Sequence, residues 1–102
     1  MKKATVMELV LFNTNEGITT EFAQKELAKM NDFLADQEGF ISRKVAISDD
    51  GQFLDLAYWT DIESAEAATE KVMRDPEFLK ICSIINEETE LFKRYRIFNE
   101  TD

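Results

Sequence analysis

The chain of 102 residues contains no histidine. That absence removes the Ser-His-Asp triad, the Cys-His pair, the imidazole metal ligand and the one side chain whose unperturbed pKa lies near neutrality. Acid–base chemistry is left to carboxylates, Tyr, Lys, the thiol of Cys82 or the substrate itself. Cysteine occurs once, so an internal disulfide is excluded. Cys82 lies in the apolar run Phe78-Leu79-Lys80-Ile81-Cys82-Ser83-Ile84-Ile85 and reads as a buried, inert thiol packed like a small hydrophobe. Long apolar runs are missing as well: Leu9 to Phe12 falls far short of the ~20 residues that span a bilayer. After the charged start Met1-Lys2-Lys3, Glu8 interrupts what would have to be the apolar core of a signal peptide, and the expectation is a cytoplasmic protein. Positive charge is scarce. Twelve Lys and Arg against twenty-one Asp and Glu give a net charge of −9, which repels polyphosphate and anionic lipid alike, so neither nucleic acid nor membrane is an expected partner. No metal-ligand cluster, phosphate loop or RNA-binding aromatic motif occurs, and no cofactor is expected.

What is present is a globular balance, 44% hydrophobic and 32% charged, over a length that fits a single domain spanning residues 1–102. Thr5 to Phe12 reads as a strand with Met7, Leu9 and Leu11 on one face and Val6, Glu8, Val10 and Phe12 on the other. The polar run Asn13-Thr14-Asn15-Glu16-Gly17 breaks it, and Thr19 or Thr20 caps the next element. Glu21 to Gln37 carries an apolar stripe (Phe22, Ala23, Leu27, Met30, Phe33, Leu34) at helical spacing. Gly39 ends this helix in the position of a left-handed cap. Phe40 to Ser48 and Gln52 to Trp59 read as strands around the turn Asp49-Asp50-Gly51. Thr60-Asp61-Ile62-Glu63 fits a capping box before an Ala-rich helix to about Arg74. Asp75-Pro76 restarts a helix that gives way near Asn86, and Glu90 to Phe98 forms a fourth strand.

The order β-α-β-β-α-β is that of an α+β, ferredoxin-like fold with a four-stranded antiparallel sheet and helices on one face. The first strand is apolar on both faces, and so, but for Asp55, is the third: Leu54, Leu56 and Tyr58 against Phe53, Asp55, Ala57 and Trp59. One helical layer leaves one of these faces bare, which implies a partner, most simply a second copy packed sheet against sheet.

Several short motifs occur in a telling order: Glu38-Gly39-Phe40 entering the second strand, Asp49-Asp50-Gly51 at the hairpin, Tyr58-Trp59-Thr60-Asp61 with Ala65, Ala67 and Ala68 behind it, then Asp75-Pro76-Glu77-Phe78. In this the chain, from about Val6 to Phe98, resembles the antibiotic-biosynthesis-monooxygenase-like family of the dimeric α+β barrel superfamily. The resemblance implies a homodimer whose sheets curve into a barrel, with a small-molecule pocket in each protomer between sheet and helices. It also implies two activities found in the family, cofactor-independent oxygenation of phenols and quinols, and haem degradation. The haem degraders use an Asn on the first strand, a Trp in the second main helix and an iron-ligating His. Here the His slot falls at about Cys82 and the Trp slot at about Lys71, with Asn13 a displaced counterpart of the Asn, so the resemblance points away from haem.

Polar residues on apolar strands are the candidates for chemistry, because burying them is costly unless they are paired. Glu8 and Asp55 are each the single charge on their strand. Either they pair with Arg43, Lys44, Lys93, Arg94 or Arg96 across the dimer interface, or one acts as a base toward a bound phenol or quinol. Asn13, Asn15, Trp59 and Tyr95 form a second set. Asn13, Asn15 and Trp59 could hold a substrate oxygen or oxyanion, and Tyr95 joins Glu8, Asn13 and Asp55 as a catalytic candidate. The structural alternative makes Asn13 and Asn15 turn residues and Trp59 core. Met7, Met30, Met73, Phe12, Phe22, Phe33 and Phe92 read as core. The functional expectation is a homodimer that binds an apolar or aromatic small molecule and oxygenates it, or a non-catalytic binding module of the same fold.

Overall fold

The computed structural model describes residues 3–101; Met1 and Lys2 of the charged start, and the final Asp102, lie outside the described residues. The elements are β1 (Val6–Phe12), α1 (Thr20–Ala28), α2 (Asn31–Ala35), β2 (Phe40–Ile47), β3 (Phe53–Trp59), α3 (Ile62–Arg74), α4 (Pro76–Cys82) and β4 (Leu91–Arg96), with a single 3-10 turn at Glu87–Thr89. The strands form one antiparallel sheet in the order β2-β3-β1-β4, the ferredoxin-like arrangement.

Local chemistry sets the boundaries. The Thr19 hydroxyl accepts the Phe22 N–H at 3.1 Å and starts α1. The single helix expected from Glu21 to Gln37 is in fact two. Arg43 Nη1, reaching over from β2, donates to the Leu27 carbonyl at 2.9 Å and to Asn31 Oδ1 at 2.8 Å. The Met30 N–H turns back to the same carbonyl at 3.2 Å, so the acceptor that a continuous helix would offer to Asn31 is engaged by a tertiary contact and by a tighter turn. The cap of α3 also lies one residue later than expected: Asp61, not Thr60, accepts the Ser64 N–H, at 2.7 Å. A carboxylate suits the positive end of the helix better than a hydroxyl, and Thr60 is engaged elsewhere, its N–H donating to Gly39 O and its carbonyl accepting from the Thr5 hydroxyl. Asp75 caps α4, with Pro76 at the first helical position. Gly39 has φ of +81°, and a Cβ there would stand 2.8 Å from Thr60 Oγ1 and closer still to Ser64, so the chain reversal into β2 needs glycine twice over.

The register places Val6, Glu8, Val10 and Phe12 of β1 on the same side as Phe53, Asp55, Ala57 and Trp59 of β3, and this side carries the helices. Val6, Ala57 and Trp59 pack with Leu34, Ala65 and Ala68, and Phe12 and Phe53 pack with Ala23, Leu27 and Ile84. The opposite face is uncovered in the single chain. Its middle rows read Ser42–Tyr58–Met7–Tyr95, Lys44–Leu56–Leu9–Lys93 and Ala46–Leu54–Leu11–Leu91 across the four strands. Three residues read as core are exposed: Phe22 on α1, Met73 at the end of α3 and Phe92 on the edge strand β4.

Candidate functional site

Between the helices and their face of the sheet lies a cavity of about 150 Å³. Its floor is the cross-strand row Arg43–Ala57–Glu8, which Arg94 continues beyond the cavity, bordered by Trp59 on one side and by Asp55, Val10 and Phe92 on the other. Ala57 is the small residue at the centre of that row, and Ala68 of α3 also lines the cavity, so the space exists where two side chains end at Cβ. Leu27, Met30, Leu34, Val72 and Ile81 make the remaining walls predominantly apolar, and Met73 and Phe92, both exposed, reach solvent.

Two ion pairs sit in this face. Asp55 receives both arms of Arg43, Nε to Oδ1 at 3.0 Å and Nη2 to Oδ2 at 2.7 Å. Glu8 Oε2 accepts from Arg94 Nε at 2.8 Å, while Arg94 Nη2 donates to Thr69 Oγ1 at 2.9 Å and the guanidinium lies 4.9 Å from the centre of the Phe92 ring. Thr69 in turn donates to the Ala65 carbonyl at 3.0 Å. Burial pushes the Glu8 carboxyl above its ordinary value. The hydrogen bond and charge of Arg94 oppose that shift, and the negative charge of Asp55 adds to it. The result is a carboxylate more basic than an exposed one, held in place by its partner.

Both pairs form within one chain, on the helix-covered face, which corrects the expectation that they bridge a dimer interface. Arg43 and Arg94 are the partners among the five cations considered, whereas Lys44 and Lys93 lie on the opposite face of the sheet. The period-2 reading limited the choice to a face, but geometry had to select the arginines, whose planar fork suits a carboxylate.

Trp59 is 0% exposed and lines the cavity, with Phe40 in edge contact at 5.4 Å. Its indole Nε1 has no hydrogen-bond partner and stands alone in this respect among the buried side-chain nitrogens and oxygens of the described residues. Such an unmet donor costs about 1–3 kcal/mol. Cys82 also lines the cavity but is half-buried, not fully enclosed as expected. Its thiol is pushed up in pKa by burial and by the charges of Glu90 and Asp55, against an opposing effect of Arg43. Among the described residues no cluster of three Cys, Asp or Glu side chains could hold a metal ion.

The structure therefore brings Glu8, Asp55 and Trp59 together and leaves Asn13, Asn15 and Tyr95 elsewhere. Asn13 joins the loops, its N–H donating to Thr89 Oγ1 at 2.8 Å and its carbonyl accepting from Asn86 N at 2.9 Å. Asn15 Nδ2 donates to the carbonyls of Ser83 and Ile85 at 2.9 and 3.2 Å. Tyr95 stands on the uncovered face. Two residues that sequence reasoning passed over also belong to the site. Thr69 is the polar member of the helical stripe Ala65, Ala68, Thr69, Val72, a detectable signal, whereas Ala57 carried none beyond its small size among large neighbours.

Fold and cavity together define a class: a ferredoxin-like α+β protein with a small-molecule-sized space between its sheet and helices. Solved structures share this fold over almost the whole chain, in line with the resemblance read from the motifs. The chain is similar to SnoaB of Streptomyces nogalater, a cofactor-independent oxygenase (19% identity, 98% of this chain and 97% of that one, TM-score 0.66). It is similar also to a dimeric ferredoxin-like protein from an uncultured marine organism (10% identity, 98% and 93%, TM-score 0.76) and to a protein of Mycobacterium tuberculosis (12% identity, 97% and 100%, TM-score 0.73). At these identities the likeness is one of fold. No family model and no curated protein matches the sequence. Among the described residues no helix is long and apolar enough to cross a membrane.

Proposed function

We propose that the protein is a cytoplasmic homodimer of the antibiotic-biosynthesis-monooxygenase-like type that binds a phenolic or quinol compound in the cavity and oxygenates it without a cofactor. The observation that carries this reading is a predominantly apolar cavity, walled in part by Trp59, whose one poised carboxylate is Glu8. Asp55 is committed to Arg43 on both oxygens. A ligand hydroxyl would give its proton to Glu8. The resulting phenolate is electron-rich enough to reduce dioxygen. Dioxygen adds to a ring carbon ortho or para to the oxygen that still carries hydrogen, and the hydroperoxide formed there loses water to leave a quinone. One oxygen atom ends in the ring and one in water, with all electrons drawn from the substrate. Burial raises the affinity of Glu8 for that proton, and the hydrogen bond and charge of Arg94 oppose the rise.

The homodimer rests on the uncovered face, where Met7, Leu9, Leu11, Leu54, Leu56 and Tyr58 form an apolar centre that in an isolated monomer would face water. The marine structural neighbour is itself a dimer. Sedimentation at micromolar concentration should give about twice the chain mass of 11.8 kDa, and a monomer at all concentrations would refute the association.

Oxygen consumption with monocyclic and polycyclic quinols tests the chemistry. Glu8→Gln should lower the rate about 10²–10⁴-fold with the protein still folded. Saturable binding with no oxygen use in the native protein would favour the second reading, a ligand-binding module, which the largely apolar lining of the cavity supports.

A further inference from the structure

We infer that Thr69 of α3 is a positioning residue of this site: by engaging Nη2 of Arg94 it keeps that arginine on one oxygen of Glu8 and leaves the other, Oε1, open to a proton from a ligand. The inference rests on the reading of Glu8 as the proton acceptor and names what keeps it one. The two ion pairs of the face supply the comparison. Arg43 grips Asp55 with Nε and Nη2, one nitrogen to each carboxylate oxygen, at 3.0 and 2.7 Å, the fork in which guanidinium and carboxylate match. Arg94 presents the same two nitrogens to a different pair of acceptors. Its Nε donates to Glu8 Oε2 at 2.8 Å, but its Nη2 donates to Thr69 Oγ1 at 2.9 Å. Glu8 Oε1, in a side chain that lines the cavity, therefore receives no bond from Arg94.

Thr69 is itself fixed for this task. Its hydroxyl proton goes to the Ala65 carbonyl at 3.0 Å, one helical turn back, so toward Arg94 the oxygen serves as an acceptor through its lone pairs. Arg94 has a second anchor in the Phe92 ring, whose centre lies 4.9 Å from the guanidinium. The groups that act on the Glu8 charge are Arg94 from β4, Asp55 from β3 and Thr69 from α3. The other helices bring apolar side chains and the Cys82 thiol to the cavity, and Arg43 is committed to Asp55, Leu27 and Asn31. Freed from Thr69, Nη2 of Arg94 would close on Oε1 as Arg43 closes on Asp55, and a carboxylate held at both oxygens takes a proton less readily.

The test reads Glu8 directly in the full-length protein without ligand. Its carboxyl carbon is followed by ¹³C NMR against pH, the resonance being assigned by its loss in Glu8→Gln. Thr69→Val keeps the side-chain shape and removes the acceptor, and Thr69→Ala removes it by truncation. Both should move the Glu8 midpoint to lower pH than in the native protein, and Thr69→Ser should restore it. In a crystal structure of Thr69→Val, Arg94 Nη2 should stand within about 3.2 Å of Glu8 Oε1. An unchanged midpoint in either variant would overturn the inference, as would a Thr69→Ser midpoint as low as that of Thr69→Val. A raised midpoint would overturn it too, and would mean that the hydroxyl acts on Glu8 directly. Oxygen uptake with the quinols is measured in parallel: kcat should fall about tenfold in Thr69→Val with KM within about twofold, and the acid limb of its pH profile should move with the midpoint. A lowered midpoint in a protein that uses no oxygen defeats the oxygenase reading alone. Oxygen uptake by the native protein with an unmoved midpoint in Thr69→Val defeats the positioning role alone.

Discussion

The two ion pairs of the helix-covered face have nearly the same composition and opposite characters. On the β2–β3 side, Arg43 spends its guanidinium on four acceptors: both oxygens of Asp55, the Leu27 carbonyl and Asn31 Oδ1. Its side chain is 5% exposed. On the β1–β4 side, Arg94 touches Glu8 through one bond, shares another with Thr69, faces Phe92 and keeps 23% exposure. The first pair joins strand to helix and ends α1. The second leaves Glu8 short of what its burial demands, which is why its carboxyl is pushed up. A buried charge becomes scaffold when every valence is met and becomes chemistry when one is left open.

This contrast is open to direct attack. The largest effect expected is that of Arg43→Met, which leaves the Asp55 carboxylate, the Leu27 carbonyl and Asn31 without their partner. Denaturant unfolding should show a loss of about 3–5 kcal/mol. Glu8→Gln should cost only about 1 kcal/mol, since Arg94 retains Thr69 and the Phe92 face. Equal losses for the two variants would abolish the distinction. The pH dependence sharpens it. Because Glu8 is pushed above its ordinary 4.5 in the folded protein, the folded state binds that proton more tightly than the unfolded chain does. The stabilisation is complete below pH 4.5 and declines as pH rises through the folded value. Stability curves of the native protein and of Glu8→Gln should therefore differ by a component that falls with rising pH in that window, and a component of opposite slope would mean that Arg94 outweighs burial. The smallest effect concerns Cys82. Its raised pKa predicts alkylation by iodoacetamide at pH 8 slower than that of an unfolded-chain cysteine, and a ligand in the cavity should slow it further.

Much of this architecture was legible in the sequence because it is written in periods and punctuation. Glu8 and Asp55 stood out as single charges on apolar strands, and the alternation of two put them on one face with Trp59. Gly39, Asp75-Pro76 and Asp49-Asp50-Gly51 marked reversals by chemistry that only those residues supply. What could not be read are effects that one segment exerts on another. The break after Ala28 is caused by an arginine on β2, and nothing local in Lys29-Met30-Asn31 announces it. Asn15 resembles a residue free to meet a ligand until Ser83 and Ile85 are folded beside it. The cavity is harder still, since it is an absence, made by Ala57 and Ala68 being small where their neighbours are large.

Among the described residues the ladder of the sheet stops at β2 on one side and at β4 on the other, so each of these strands has a rim that faces no further strand. In a chain of net charge −9 these two strands carry no acid: Arg43 and Lys44 lie on one, Lys93, Arg94 and Arg96 on the other. With Arg43 and Arg94 neutralised by their carboxylates, a copy approaching rim to rim still brings the exposed cations Lys44, Lys93 and Arg96 together, and that repulsion discourages the endless strand addition to which bare sheet borders are prone. The same charges therefore favour the proposed pairing through the leucine-rich flat of the sheet, a contact that closes on itself after two copies, over pairing at the borders.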